Sequence, residues 1–232
     1  MPCGLCGDII PTEVARCPHC GAWARRRDFR ALGIGVFMLL GFNAFMALGS
    51  GISLIRLLDP LAGTTRDSYD APGTARTLAP YADVFTISIV LALITGLLFV
   101  TWLWRAYGFS SAPGVPRRYG RVWVLTGWLT PIANLWIPPR LIHEVWVGSG
   151  RFHIVERHRI GLIVTAWWVS ALSSLALMEL FRHGDADTIA DARLDIHLGI
   201  AAASCLALAA TLCMVIVFQV TRLQIGVGEQ GD

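Results

Sequence analysis

The chain has 232 residues, 55% of them hydrophobic and 15% charged, with a mean hydropathy of +0.58. An ordinary soluble domain carries about 25% charged residues and roughly 45–50% apolar ones, so this composition excludes that class and points to a polytopic membrane protein. The net charge is only +3, and all nineteen basic residues are arginine. That bias reads as the codon usage of a GC-rich bacterial genome, and the position of the arginines carries more information than their sum.

The first element in chain order is a pair of cysteine knuckles, Cys3-Gly-Leu-Cys6-Gly and Cys17-Pro-His-Cys20-Gly. Two CxxC pairs let each half of a site wrap one edge of a tetrahedral zinc ion, and the glycine after each second cysteine permits the tight turn. Residues 1–24 therefore read as a zinc ribbon, with Cys3, Cys6, Cys17 and Cys20 as ligands. So short a stretch has no apolar core to hold it without metal. Four protein ligands leave no open position, so the ion is expected to be structural, and His19, inside the second pair, reads as a surface residue. The thiolates need a reducing compartment. This places the amino terminus in the cytoplasm. The opening residues do not read as a secretory signal, being a knuckle rather than a basic stretch before a short apolar run.

A basic tether, residues 25–30, leads into a membrane domain over residues 31–225. Apolar runs long enough to cross about 30 Å of hydrocarbon as helices occur at Ala31–Leu58, Tyr81–Trp104, Ile160–Leu180 and Ile196–Val220. The loop after the first run holds Asp59, Asp67 and Asp70, and the loop after the third holds Asp185, Asp187, Asp191 and Asp195. Fourteen arginines instead fall in the amino-terminal tail, in the middle of the chain and just after the last run. By the positive-inside rule both termini and the middle face the cytoplasm, in agreement with the thiolate argument. The protein is then a multi-pass component of the cytoplasmic (inner) membrane. Small residues recur every four positions at Ala166, Ser170 and Ser174, and at Gly199, Ala203, Ala207 and Thr211. Such stripes let backbones approach, so the third and fourth spans are expected to touch. Asn43, deep in the first span, reads as hydrogen-bonding glue between helices.

Between the hairpins, Val122–Ile142 is apolar and long enough to span. A crossing there would export Arg151, Arg157 and Arg159 and bring the aspartate-rich loop inside, and Pro131, Pro138 and Pro139 would interrupt it. An in-plane or re-entrant segment on the cytoplasmic side is the expectation. Six of the nine tryptophans, Trp102, Trp104, Trp123, Trp128, Trp136 and Trp146, gather in and around this stretch, where an interfacial belt would lie. The fold class is an all-α membrane protein of four transmembrane helices plus this segment, preceded by the ribbon.

The stretch WLWRAYGFSS at 102–111, with GWLTPIANLWIPPRLIHEVW at 127–146, resembles a bacterial, largely actinobacterial, membrane family known as domain of unknown function 4328. The resemblance covers roughly residues 35 to 225. Its most specific parts are Arg105-Ala106-Tyr107 and the combination of Trp128, Pro131, Asn134, Trp136, Pro138 and Glu144. It marks Arg105, Tyr107, Trp128, Pro131, Asn134, Trp136 and Glu144 as a candidate interfacial site. Where the family often carries an asparagine after its RAY-like run, Gly108, Phe109 and Ser110 stand here. Relatives of this kind often carry a short zinc ribbon in front. The resemblance implies an integral membrane protein and no established activity.

No nucleophile with its base, paired carboxylates or phosphate-cradling glycine loop stands out, so no catalytic residue is assigned and an enzyme is the less favoured reading. Glu179, His183, Asp191, Asp195 and His197 lie near the outer ends of the last two spans. They read as interfacial polar residues rather than a metal or proton site. His153, Glu156 and His158 in the inner loop read as solvated. The role expected from these features is that of a membrane-anchored adaptor or sensor whose ribbon meets a protein partner. A small transporter or channel gated by the inner segment, and a lipid-handling enzyme at the inner interface, are the alternatives. Membrane lipids are the other expected partners, nucleic acid is disfavoured, and a homo-oligomer stays open.

Overall fold

The computed structural model describes residues 8–9, 17–19, 26–62, 70–109, 118–150, 152–183 and 188–226. The zinc-ribbon residues Cys3, Cys6 and Cys20 lie outside the described residues. Seven helices follow one another among the described residues: α1 (Arg26–Ala62), α2 (Ala71–Phe109), α3 (Trp123–Leu129), α4 (Pro131–Asn134), α5 (Ile137–Gly148), α6 (Ile154–Arg182) and α7 (Ile189–Gly226). Four stretches, Phe29–Asp59, Ile87–Gly108, Ile154–Arg182 and Ile189–Ile225, are long and apolar enough to cross a membrane.

Each predicted span lies inside one of these long helices, but the helices run on beyond them. At about 1.5 Å per residue they are roughly 43 to 58 Å long, against about 30 Å of hydrocarbon, so their ends reach past the apolar layer. Asp59 is helical, and α2 begins at Ala71, ten residues before the predicted start at Tyr81, so Arg76 sits on a helix and not in a loop. Pro72 falls in the first turn of α2, where a missing N–H removes no intrahelical bond. The start of α7 is fixed by a capping box. Thr188 Oγ1 accepts from the Asp191 backbone N–H at 3.2 Å, and Asp191 Oδ2 accepts from the Thr188 backbone N–H at 3.2 Å.

Val122–Ile142 holds no helix of spanning length. Thr130, which precedes Pro131, is extended (φ −90°, ψ 112°), as a pre-proline residue prefers, and Pro131 opens the four-residue α4. A second break at Leu135 and Trp136 precedes α5, whose first turn contains Pro138 and Pro139. With 12 residues α5 is about 18 Å long. Gly127 lets α3 lie close on α5, since a Cβ there would stand 2.8 Å from Ile137 Cγ2. The segment is a broken helical hairpin.

Two compact units divide the chain. The first comprises Met1–Met38, Gly96–Thr165 and Met214–Asp232, and the second Leu39–Thr95 and Ala166–Cys213. All of α3, α4 and α5 belong to the first, together with the amino-terminal parts of α1 and α6 and the carboxy-terminal parts of α2 and α7. Its core holds Trp102, Leu103, Tyr107, Val124, Leu141, Ile142 and Ile216, with Phe29 stacked on Trp102 at 6.2 Å and Phe99 tilted against it at 5.5 Å.

Within the second unit, Asn43 Nδ2 donates to Thr95 Oγ1 at 2.9 Å, joining α1 to α2. A Cβ built on Gly199 would stand 2.8 Å from Leu54 Cδ1 and 3.2 Å from the Phe181 ring, so α7 meets both α1 and α6 there. The small residues of α7 therefore serve α1 as well as the expected α6, for Gly51 of α1 also lies opposite Ala203. On α6, Ser170 and Ser174 are buried whereas Ala166 is exposed. Along α1, Ile34, Met38, Phe42, Phe45, Leu48, Ile52 and Ile55 are exposed at three- and four-residue intervals. An unbroken apolar stripe of that length suits lipid and not water.

Candidate functional site at the arginine-rich end

The two units differ in charge. Fourteen arginines and seven acidic residues fall in the first, five arginines and nine acidic residues in the second. In the first unit the end of α2, residues 118–122, the α3–α5 hairpin and the end of α7 come together.

Tyr107, 1% exposed, donates its hydroxyl hydrogen bond to the Tyr119 carbonyl and so ties α2 to the residues that lead into α3. The Tyr119 ring meets Trp123 edge to face at 6.5 Å, and its hydroxyl accepts from Arg140 Nη1 on α5 at 3.3 Å. The Arg121 guanidinium lies 4.3 Å from the centroid of the Trp104 ring and donates through Nη2 to the Trp104 carbonyl at 3.3 Å. This cation–π contact holds the guanidinium plane in a fixed pose.

Five of the seven residues marked by the sequence fall into two groups. Tyr107 and Trp128 are packing residues, Trp128 meeting Phe99 edge to face at 6.0 Å. Arg105, Pro131 and Trp136 are exposed, Trp136 by 45%. Asn134 closes α4 through its backbone N–H to Thr130 O at 2.8 Å, and its Oδ1 is buried without a hydrogen-bond partner among the described residues. Glu144 is half-buried on α5. The seven thus share a unit, in which Tyr107 meets Tyr119, Trp128 meets Phe99 and Asn134 meets Thr130.

A buried polar link escaped the sequence reading. Gln224 Nε2 donates to Ala106 O at 3.0 Å and to Ser149 Oγ at 2.8 Å, and Ser149 Oγ donates to Val145 O at 2.6 Å. One helical turn before Gln224, Thr221 Oγ1 accepts from Trp102 Nε1 at 3.1 Å and lies against Gly33. The available signal was a threonine and a glutamine in the last turns of an otherwise apolar helix, beyond the predicted span end at Val220.

Among the described residues no group of three histidine, cysteine or acidic side chains is placed to hold a metal ion. Cys17 is buried, 2% exposed. His19 Nδ1 lies 3.5 Å from Asp8 Oδ2, both side chains being well exposed, so a residue two after Cys6 and a residue inside the second CxxC pair are neighbours. In the second unit, Glu179 is engaged by Arg182 at 3.7 Å and by His183 at 3.5 Å, and Asp191 serves the capping box. Asp195 is buried and His197 exposed. At the start of α6, Glu156 Oε2 accepts the His153 backbone N–H at 2.8 Å, a helix-start contact.

A family model described as "Domain of unknown function (DUF4328)" matches residues 64–222. The chain belongs to the DUF4328 family. No curated protein and no solved structure matches it. The DUF4328 match begins after α1, well short of the stretch from about residue 35 that the motifs suggested. It contains α2 to α6 and α7 as far as Arg222, and with them the Tyr107, Tyr119, Arg121 and Arg140 cluster.

Proposed function

We propose that this DUF4328 protein is a membrane-anchored adaptor or sensor of the cytoplasmic membrane, with a zinc ribbon that docks a partner at the cytosolic surface. The observation that carries the reading is the composition of the first unit. The stretches of chain that make up this unit, the α3–α5 hairpin among them, carry fourteen of the nineteen arginines in sequence. Under the positive-inside rule that end faces the cytosol, where thiolates stay reduced.

Cys3, Cys6, Cys17 and Cys20 would hold the ion through four thiolates. The burial of Cys17 and the approach of Asp8 to His19 fit a folded knuckle pair. Zinc so bound supplies folding energy and no reactive position. What the chain then presents is a small rigid surface on a short arginine-rich tether, a form suited to recognition.

Metal analysis and partner capture test this together. Purified protein should carry about one zinc per chain, and Cys17→Ser should lose it. A partner cross-linked in intact membranes to the wild type should vanish with Cys17→Ser while the variant stays inserted. Wild-type protein without zinc, or a partner that persists with the ribbon destroyed, overturns the reading.

A further inference from the structure

We propose that Arg118 and Arg140, with the Tyr119 hydroxyl, form a binding site for the phosphate of an anionic phospholipid headgroup, seated where the α3–α5 hairpin enters the leaflet. The site rests on the reading that the arginine-rich end lies at the inner leaflet.

Geometry and pairing both point to an anion. Arg140 makes one hydrogen bond among the described residues, to Tyr119 Oη, and Arg118 makes none; both are exposed, and neither meets a carboxylate within ion-pair distance. Guanidinium groups carry five donors in a planar fork suited to phosphate oxygens, and one bond to a phenol uses little of that capacity. Because Tyr119 Oη accepts from Arg140, its own O–H remains available to donate towards the same oxygen. Tyr119 itself is fixed from three sides, by Tyr107 at its carbonyl, Trp123 at its ring and Arg140 at its hydroxyl. Tyr119 and the Arg140 fork are thus joined before a ligand arrives.

The adjoining surface specifies a lipid rather than a free phosphate. Val122, Trp123, Leu125, Leu129, Ile132, Leu135 and Trp136 are exposed along α3, α4 and their flanks, although α3 packs on α5. Four helices are long and apolar enough to cross a bilayer, and a hairpin too short to traverse it can bury this face only in the leaflet its ends share. Tryptophans at the two ends of the exposed run suit the headgroup level. A phosphate held by Arg118 and Arg140 beside such a face belongs to a molecule with acyl chains.

The test is lipid retention by the full-length protein, purified from vesicles of phosphatidylcholine and phosphatidylglycerol and weighed by native mass spectrometry. Wild type should keep phosphatidylglycerol in preference to phosphatidylcholine. Arg140→Gln and Arg118→Gln should each lower that preference about threefold or more, and Arg140→Lys, which keeps the charge and loses the fork, should lower it partly. Soluble glycerol phosphate should not displace the lipid. Arg159→Gln, an exposed arginine of α6 outside the cluster, should leave the preference unchanged. Equal retention by wild type and Arg140→Gln overturns the site, as does an equal loss with Arg159→Gln, which would mean diffuse surface charge. Displacement by glycerol phosphate would overturn the lipid assignment. Retention does not depend on which way the protein faces, so a wrong sidedness and a missing lipid site give separate results.

Discussion

Gln224 joins three helices through one amide. Its Nε2 serves the Ala106 carbonyl of α2 and the Ser149 hydroxyl beyond α5, both in the interior of the first unit. Truncation to alanine leaves those acceptors buried without their donor, at a cost of about 1–3 kcal/mol. Purified Gln224→Ala should therefore melt several degrees below wild type in detergent. Gln224→Glu should do no better, because a carboxylate has nothing to donate. Asn43→Leu is expected to cost less, since hydrogen bonds between membrane helices average about 0.6 kcal/mol and reach about 1.7. Asn43 was legible in the sequence as an isolated amide deep in an apolar run, and its bond to Thr95 is the packing role expected of it. Gln224 was not legible. A polar residue in the last turn of a span ordinarily meets water or headgroups, and only the approach of α2 and α5 makes it an interior residue.

At the scale of elements, the prolines and the glycine of the middle segment decide its shape. Pro131 forces Thr130 into an extended conformation, and Gly127 allows α3 to close on α5. A Cβ at position 127 would stand 2.8 Å from Ile137 Cγ2 and 3.4 Å from Ile137 Cβ. Isoleucine in a helix has one strongly preferred rotamer, so it cannot swing aside. Gly127→Val should then cost about 1–3 kcal/mol as an overpacked contact and loosen α3. Faster tryptic cleavage after Arg118 and Arg121 is the expected sign. Gly96→Ala is the matched control, since nothing lies within 4 Å of a Cβ there, and it should leave the cleavage rate unchanged. The breaks were readable from the prolines. Less readable were the helix ends, because backbone beyond the hydrocarbon can keep its helical bonds in water whatever the hydropathy of its side chains. Thr188 and Asp191 did carry a capping signal in sequence, although their acidic neighbours suggested a loop.

For the molecule as a whole, sidedness is the property on which the proposed role depends. Reporter fusions at Thr65 and Thr188 should report the exterior and one at Ser149 the cytoplasm. An exterior Ser149 would restore a fifth crossing through Val122–Ile142 and reverse everything after it. The expectation follows from charge, because the unit that contains Ser149 holds twice as many arginines as acidic residues, whereas acidic residues outnumber arginines in the other.

By itself the sequence determined the number of long apolar helices, the broken middle and the separation of arginine from aspartate along the chain. Those properties follow from local physics: the length needed to cross hydrocarbon, the missing N–H of proline, and the cost of moving charge through lipid. Tertiary structure alone decided which side chains meet. Tyr107, Tyr119, Arg140 and Trp123 lie far apart or on different elements in the chain, and Gln224 is more than a hundred residues from Ala106. Hydropathy is a sum over neighbours in sequence, whereas a hydrogen bond or a guanidinium on a ring depends on distances that only the packing of helices fixes.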